Sequence, residues 1–281
     1  MIPYVPFAGI PAGNFYEAPR YCEVESENPA DYYSLRIDSP AAPEHSGTCG
    51  LIGVYPVECA WDDLVRSSNV GAGDDILIPQ DLVVPSGKTL TMNEGATLRA
   101  DGYDDSNRGN DLYKNEITVH GTLDVNGSPG NPVRFVSAVE PQSEGDWYGI
   151  HVKGGSVAQI DGADIQHAVY GTVFQTEDAT SHIKFSAFSN NQNRDILAGA
   201  GGLSFPVSFE ENAITIGGGI GIELQSVVSG ATLSKNVLTG DGASSSGIEL
   251  GLFTTDQQPV IAENTISLDF HTRQCANVTP S

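Results

Sequence analysis

The sequence predicts an all-β solenoid, and two repeating motifs of similar period carry that prediction. In the first motif an apolar residue is followed by two further residues and an asparagine, and its four copies are separated by 21, 24 and 28 residues. In the second, residues 221–224 and 247–250 both read Gly-Ile-Glu-Leu, 26 positions apart. Self-similarity at a period of roughly 20 to 50 residues is typical of chains that stack similar units into a solenoid.

Each repeat is predicted to hold short strands rather than a helix. Ile222 and Leu224, and again Ile248 and Leu250, occupy alternate positions, so their side chains face the same side of a strand. Such a unit is too short for a strand–helix–strand crossover, which takes roughly 30 residues or more. We therefore predict coils of two or three strands joined by tight turns, with Gly and Asn at the corners because turns often need positive φ.

The asparagine of the first motif predicts a stacked ladder along one corner of the coils. A side-chain amide that recurs in every coil can bond to its equivalents above and below and to the backbone of the turn. An alternative is that Asn is simply common in turns. The predicted members of the ladder are Asn191, Asn212, Asn236 and Asn264.

Four further segments give the chain a family resemblance. Residues 82–90, 121–123, 131–135 and 145–150 read Leu-Val-Val-Pro-Ser-Gly-Lys-Thr-Leu, Gly-Thr-Leu, Asn-Pro-Val-Arg-Phe and Gly-Asp-Trp-Tyr-Gly-Ile. With these segments, residues 75–270 resemble a right-handed parallel β-helix of the pectate-lyase-like kind, as found in secreted bacterial proteins. The resemblance implies roughly eight coils and an extracellular location. It implies no particular activity, because this architecture hosts lyases, hydrolases, epimerases, adhesins and passive scaffolds.

Composition divides the chain into three parts. Residues 1–70 are predicted to form an irregular N-terminal arm and cap, residues 71–270 the β-helix, and residues 271–281 a C-terminal tail. The arm combines prolines, which prevent regular helices and central strands, with aromatic residues that an unfolded linker would lack. These residues are Pro3, Pro6, Pro11, Pro19, Pro29, Pro40 and Pro43 with Tyr4, Phe7, Phe15, Tyr16, Tyr21, Tyr32 and Tyr33.

The charge of the chain excludes several partners. Its 36 acidic residues against 13 basic residues give a net charge of −23. Nucleic acids need stripes of Lys and Arg, and anionic lipids and acidic polysaccharides would be repelled unless a cation bridged them. No apolar run approaches the roughly 20 residues of a membrane span. We therefore expect neither a nucleic-acid partner nor a membrane span.

The cysteines are expected to form disulfides rather than a zinc site. Cys22, Cys49, Cys59 and Cys275 include no Cys-x-x-Cys pair. In an extracellular chain, one bond would join two of the first three cysteines. The remaining cysteine could reach Cys275 only if the ends of the chain approach each other, or on a neighbouring subunit.

An acidic insertion at residues 101–115 is a candidate calcium site. Calcium prefers six to eight oxygen ligands, and this stretch offers many. Its spacing does not match an EF-hand loop, and the alternative is a solvated polar turn. The candidate ligands are Asp101, Asp104, Asp105, Asn107 and Asp111.

Candidate residues for carbohydrate chemistry lie on neighbouring coils. Asp161, Asp164 and His167 could serve general acid–base cleavage of a glycosidic bond, although outward polar residues are also what any solenoid needs for solubility. Trp147 and Tyr148 follow a second insertion and could stack on sugar rings, unless the Trp simply covers the core. The catalytic signatures of pectate lyases, polygalacturonases, alginate lyases and epimerases are not intact.

Two functions therefore compete at this point. The first is an extracellular, non-catalytic structural or surface protein that assembles with copies of itself, as an oligomer or filament, through the N-terminal arm. The second is a carbohydrate-active or carbohydrate-binding β-helix protein, of the polysaccharide lyase or glycoside hydrolase type. A groove lined along consecutive coils would favour the second function, and a flat face of Ser, Thr and Val would favour the first.

Overall fold

The computed structural model describes residues 35–36, 57–59, 68–104, 109–175, 180–199, 207–225, 230–240, 245–251 and 259–268, and all regular structure in these ranges is β-strand. The chain divides into two compact units, Met1–Ala60 and Trp61–Ser281. In the first unit, β1 (Leu35–Arg36) pairs in parallel with β2 (Val57–Cys59). The described part of the predicted arm is limited to these strands and Ser68–Val70, and residues 271–281 lie outside the described ranges.

The second unit consists of three parallel sheets, which we call A, B and C. Sheet A holds β3 (Ser68–Val70), β6 (Thr89–Asn93), β9 (Thr122–Asn126), β12 (Val157–Asp161), β15 (His182–Lys184), β18 (Ser208–Glu210), β21 (Thr232–Ser234) and β24 (Val260–Ala262). Sheet B holds β4 (Asp75–Ile78), β7 (Thr97–Ala100), β10 (Val133–Ser137), β13 (Ala163–Gln166), β16 (Ala187–Ser189), β19 (Ala213–Ile216), β22 (Val237–Gly240) and β25 (Thr265–Leu268). Sheet C holds β5 (Leu82–Val84), β8 (Glu116–Val119), β11 (Trp147–Val152), β14 (Ala168–Phe174), β17 (Arg194–Ala198), β20 (Ile220–Leu224) and β23 (Ser246–Leu250).

The order of these strands is that of a solenoid. The chain visits sheets A, B and C in turn, and each strand pairs in parallel with the strand three places further along the chain. This topology confirms the prediction of an all-β parallel solenoid and is consistent with a parallel β-helix. Within the described residues there is no long apolar helix that could cross a membrane.

A single apolar core runs between the three sheets. Alternate residues of each strand point inward and stack on their equivalents in the next coil. On sheet C, Ile117 pairs in register with Ile150, and Ile196 pairs with Ile222. Thr172 takes the corresponding place between Ile150 and Ile196. Alternation at period two therefore predicted the inward face correctly, because successive side chains of a strand point to opposite sides.

The corner between sheets A and B has the same backbone in five successive coils. One residue there adopts left-handed φ of 54° to 62°, and the next residue turns its side chain into the corner. The left-handed residues are Gly162, Phe185, Glu211, Lys235 and Glu263, and the residues that follow them are Ala163, Ser186, Asn212, Asn236 and Asn264.

These corner side chains form a hydrogen-bonded ladder. The backbone N–H of Asn212 donates to Oδ1 of Asn236 at 3.1 Å, and the N–H of Asn236 donates to Oδ1 of Asn264 at 2.9 Å. The Nδ2 groups of Asn212 and Asn236 donate to the same two oxygens. Ser186 extends the series, because its N–H donates to Oδ1 of Asn212 and its Oγ accepts the N–H of Ala163.

Asn191, the fourth predicted member of the ladder, lies at a different corner. It follows β16 at the turn from sheet B to sheet C, where its Oδ1 accepts the N–H of Ala168 and its Nδ2 donates to Ile165 O and to Asp195 Oδ1. The turn from sheet A to sheet B and the turn from sheet B to sheet C can both hold a left-handed residue followed by an inward Asn. The same sequence motif therefore fits either corner. Ser186 takes the ladder position in that coil.

Phe185 is the least suitable of the left-handed corner residues, because a bulky side chain at positive φ costs roughly 1 to 2 kcal/mol. The residue is 45 % exposed. We expect Phe185→Asn to raise the free energy of unfolding by about 0.5 to 1 kcal/mol, since Asn tolerates this conformation. Urea unfolding measures the change. Phe185→Ala is the control, which removes the ring without that tolerance and should not stabilise the protein; equal stabilisation by both variants would refute the explanation.

Candidate binding groove

The structure separates the three residues predicted to act in glycosidic cleavage. Asp161 ends β12 on sheet A, whereas Asp164 lies in β13 on the outer face of sheet B, where it accepts a hydrogen bond from Gln166 Nε2 at 2.8 Å. His167 is a buried corner residue between sheets B and C, with φ of 63°. The three residues belong to one coil but to two sheets and a corner, so they do not face one common space.

A groove runs across four coils on the outer face of sheet A. Gln159, His182, Ser208 and Thr232 are aligned in one row across β12, β15, β18 and β21. Asp161, Lys184 and Glu210 form the adjacent row. The groove has a volume of about 450 Å³ and is lined by Gln159, Thr180, Ser181, His182, Lys184, Val207, Ser208, Glu210, Gly230 and Thr232. Nine of these ten residues are polar or glycine, which gives the surface many hydrogen-bonding groups and little apolar area.

Basic and acidic side chains lie beside each other along the groove. His182 Nε2 lies 3.3 Å from Asp161 Oδ1, and its Nδ1 lies 2.9 Å from the carbonyl oxygen of Thr180. Lys184 Nζ lies 3.8 Å from Glu210 Oε1, which also accepts a short hydrogen bond from Ser208 Oγ. Both pairs are partly open to water, so each contributes little to stability. Lys184 therefore offsets the charge of Glu210, whereas His182 offsets that of Asp161 only when its imidazole is protonated.

Trp147 and Tyr148, the predicted sugar-stacking pair, point in opposite directions. Trp147 is fully buried in the core, and its Nε1 donates to the carbonyl oxygen of Gln166 at 2.7 Å. It therefore has no free face for a ligand. Tyr148 lies on the outer side of sheet C, as expected for the next residue of a strand. The sequence analysis left a core role for Trp147 open, and this is its place in the structure.

Tyr148 belongs to an aromatic cluster on sheet C. Its ring stacks on His151 with centroids 4.9 Å apart and meets the edge of Tyr170 at 5.4 Å. The guanidinium of Arg194 lies 5.8 Å from the centre of the Tyr170 ring and forms an ion pair with Glu223. The members of the cluster are thus in contact with one another. Tyr170 and Arg194 were not predicted, although the repeat places them one coil apart.

His151 is the most deeply placed member of this cluster. The residue is 5 % exposed, and its Nε2 has no hydrogen-bond partner. Burial, with a smaller effect of the Lys153 charge, lowers the pKa of His151 from 6.5 to about 3. The imidazole is therefore neutral under ordinary conditions. Lys153 also has a lowered pKa because it is partly buried.

The acidic insertion uses its described carboxylates to hold its own backbone. Asp101 Oδ1 accepts the N–H of Gly102 at 2.7 Å, and Asp111 Oδ1 accepts the N–H of Tyr113 at 2.8 Å. Asp104 is buried. The other two predicted calcium ligands, Asp105 and Asn107, lie outside the described residues. Across the described ranges, no three His, Cys, Asp or Glu side chains are grouped so that they could hold a metal ion.

A buried carboxyl group lies at the corner between sheets B and C. From β14 onward, each strand of sheet C has one residue between its first two paired positions. These residues are Gly171, Asp195, Gly221 and Gly247, and three of the four are glycine. Asp195 is the exception and is buried, with Asn191 Nδ2 donating to its Oδ1 at 2.8 Å. Burial raises the pKa of Asp195 from 3.8 to about 8, against the lowering effect of the Asn191 hydrogen bond.

The predicted disulfides fall mainly outside the described residues. Cys22, Cys49 and Cys275 lie beyond the described ranges, and Cys59 is the last residue of β2. Their pairing stays a prediction.

Comparison of this chain with protein-family models, with curated proteins and with solved structures finds no match.

Proposed function

We propose that this chain is a secreted, non-catalytic protein with a right-handed parallel β-helix, and that it binds a neutral polysaccharide in the groove of sheet A. The groove across four coils is the observation that carries the proposal. Adjacent strands of a sheet are about 4.8 Å apart, so its rows offer similar polar groups at regular steps along the solenoid. A chain of linked sugars also presents its hydroxyl groups at regular steps.

The charge distribution supports a neutral ligand. An overall charge of −23 repels polyanions, whereas the carboxylate that lines the groove, Glu210, lies beside Lys184, and Asp161 at its margin lies beside His182. Hydroxyl groups can both donate and accept, which suits a surface of amide, hydroxyl and paired charged groups. Binding to such a ligand should depend little on ionic strength.

The same pairing favours binding over cleavage. A general acid usually needs a raised pKa from burial or from a neighbouring like charge, and a nucleophile needs a free carboxylate. Asp161 and Glu210 are partly exposed, and each lies beside a basic group. We therefore assign them to ligand contact and to the shape of the groove.

General rules about protein structure support the right-handed sense of the solenoid and its extracellular location. Crossover connections between parallel strands of one sheet are right-handed in nearly all proteins, which supports the right-handed sense. The acidic surface, the small number of lysines and arginines and the four cysteines support an extracellular location, where disulfides persist.

Affinity measurements with a panel of neutral oligosaccharides, each long enough to span four coils, test the proposal. We expect Gln159→Ala combined with Thr232→Ala to weaken the tightest binding about tenfold or more, since each lost hydrogen bond contributes about 1 kcal/mol. Thr215→Ala is the matched control, because Thr215 is an outward threonine on sheet B. It should leave the affinity unchanged.

Three results would contradict the proposal. These are the absence of binding to every neutral oligosaccharide, an affinity that the double variant leaves unchanged, and cleavage of a bound oligosaccharide detected by mass spectrometry. The first two results would refute the groove as the site, and the third would refute its non-catalytic role.

A further inference from the structure

The last described coil leaves core positions open to solvent. Ile261 and Ile266 continue the interior columns of Leu233 and Leu238, which are fully buried. Nevertheless, Ile261 is 42 % exposed and Ile266 is 48 % exposed. Leu250, the last described member of its own column on sheet C, is 49 % exposed. An apolar column of this kind is completed by one more layer of strands.

The opposite end of the solenoid differs in this respect. The inward-facing apolar residues of the first coil are buried: Val70, Ile76, Ile78, Leu82 and Val84. The two ends are therefore not equivalent. Among the described residues, core positions are exposed to solvent at the end formed by β23, β24 and β25, and those of the first coil are not.

These three strands are also edge strands. In the described part of the chain, β23, β24 and β25 are the outermost strands of sheets C, A and B, and each pairs with one neighbour. An edge strand presents unpaired backbone N–H and C=O groups, which favours the addition of a further strand. Backbone pairing and apolar burial thus point to the same kind of occupant, a layer of strands with an apolar inner face.

We propose that the occupant is the same end of a second copy of this chain, so that two solenoids form a closed dimer. A two-fold interface uses the same surface on both subunits, and here it would join two exposed apolar ends and pair the edge strands antiparallel. Head-to-tail stacking would instead need an exposed core at the first coil, where the core is buried. The interface therefore closes after two copies and does not propagate into a filament.

The composition of residues 269–281 favours a second copy over this segment of the same chain. The segment reads Asp-Phe-His-Thr-Arg-Gln-Cys-Ala-Asn-Val-Thr-Pro-Ser and has no run of alternating large apolar residues. A strand that completed the core would need such alternation.

Charge gives the dimer a distinct signature. Glu249 and Glu263 are exposed on the last coil, and a two-fold contact brings two copies of each toward one end. Like charges repel, and salt screens this repulsion. Because the end is formed by three short strands, the contact is small, and we expect an association in the micromolar range that strengthens with ionic strength.

Sedimentation of the full chain, from low to high micromolar concentration and at low and high salt, tests this inference. We expect a reversible monomer–dimer equilibrium that shifts toward dimer with salt. Ile261→Lys combined with Ile266→Lys should give a monomer throughout. Tyr113→Lys, which places the same charge at an exposed residue of the acidic insertion, should leave the dimer intact.

Hydrogen exchange on the unaltered chain provides a second measurement that needs no variant. Amides of β24 and β25 should become more protected as the concentration rises, and amides of the first coil should not change. A chain that stays monomeric throughout, that polymerises beyond a dimer, or whose β24 and β25 amides exchange independently of concentration would overturn the inference. These results are separate from oligosaccharide binding, so either proposal can fail alone.

Discussion

Asn236→Ala should lower the free energy of unfolding by about 3 kcal/mol, because it removes a fully buried rung from the corner ladder. Oδ1 of Asn236 accepts the N–H and the Nδ2–H of Asn212, and its own Nδ2 donates to Phe209 O and Asn264 Oδ1. Alanine leaves the N–H of Asn212 and the carbonyl oxygen of Phe209 buried without these partners. A buried polar group left unsatisfied costs roughly 1 to 3 kcal/mol.

Asn236→Ser is the matched control for this prediction. Ser186 occupies the same corner position in another coil, where its Oγ accepts the N–H of Ala163 and donates to Lys184 O. Serine at position 236 can therefore restore one acceptor for Asn212, and it should cost less than alanine. Chemical denaturation gives both values, and equal losses for serine and alanine would show that the side-chain hydrogen bonds contribute little.

Asp195→Asn should stabilise the protein at pH 8 by roughly 3 to 5 kcal/mol and change it little at pH 4. The pKa of Asp195 is about 8 in the folded chain, against an ordinary value of 3.8 that the unfolded chain takes. Between these values the unfolded chain has lost the proton that the folded chain keeps, so stability falls as pH rises from about 4 to about 8. Each unit of pKa shift corresponds to about 1.4 kcal/mol.

Unfolding measured across this pH range distinguishes Asp195 from the general charge of the chain. Asp164→Asn is the control, because it removes the same charge from the outer face of sheet B. The stability difference between Asp195→Asn and the unaltered chain should grow steadily between pH 4 and pH 8, whereas that for Asp164→Asn should stay small. A difference that is flat with pH would mean that Asp195 is ionised in the folded state.

The sequence carried more information about the fold than about the site. The period of the repeats and the alternation of Ile222 with Leu224 follow directly from the geometry of stacked strands, so the coils and their inward faces could be predicted. The corner of each Asn could not, since Asn191 and Asn212 have the same local motif but end strands of different sheets. Which corner a motif occupies depends on the number of residues in the preceding turns.

The groove shows the same limit. Asp161 was predicted as a polar residue of functional interest, but its partner His182 lies 21 positions away and became visible only through the pairing of β12 with β15. Lys184 and Glu210 are brought together in the same way. Because β-solenoid surfaces are built from residues one coil apart, the exact register of the coils is needed before such pairs can be identified.

Mapping a bound oligosaccharide onto the backbone amides by NMR tests the central claim most directly. The isotope-labelled full chain is titrated with the tightest neutral oligosaccharide of the panel. We predict that the largest shifts fall in β12, β15, β18 and β21, and that the outer face of sheet B does not respond. Shifts confined to the aromatic cluster around Tyr148 and Tyr170, or no shifts with any neutral oligosaccharide, would contradict the assignment of the groove on sheet A as the binding site.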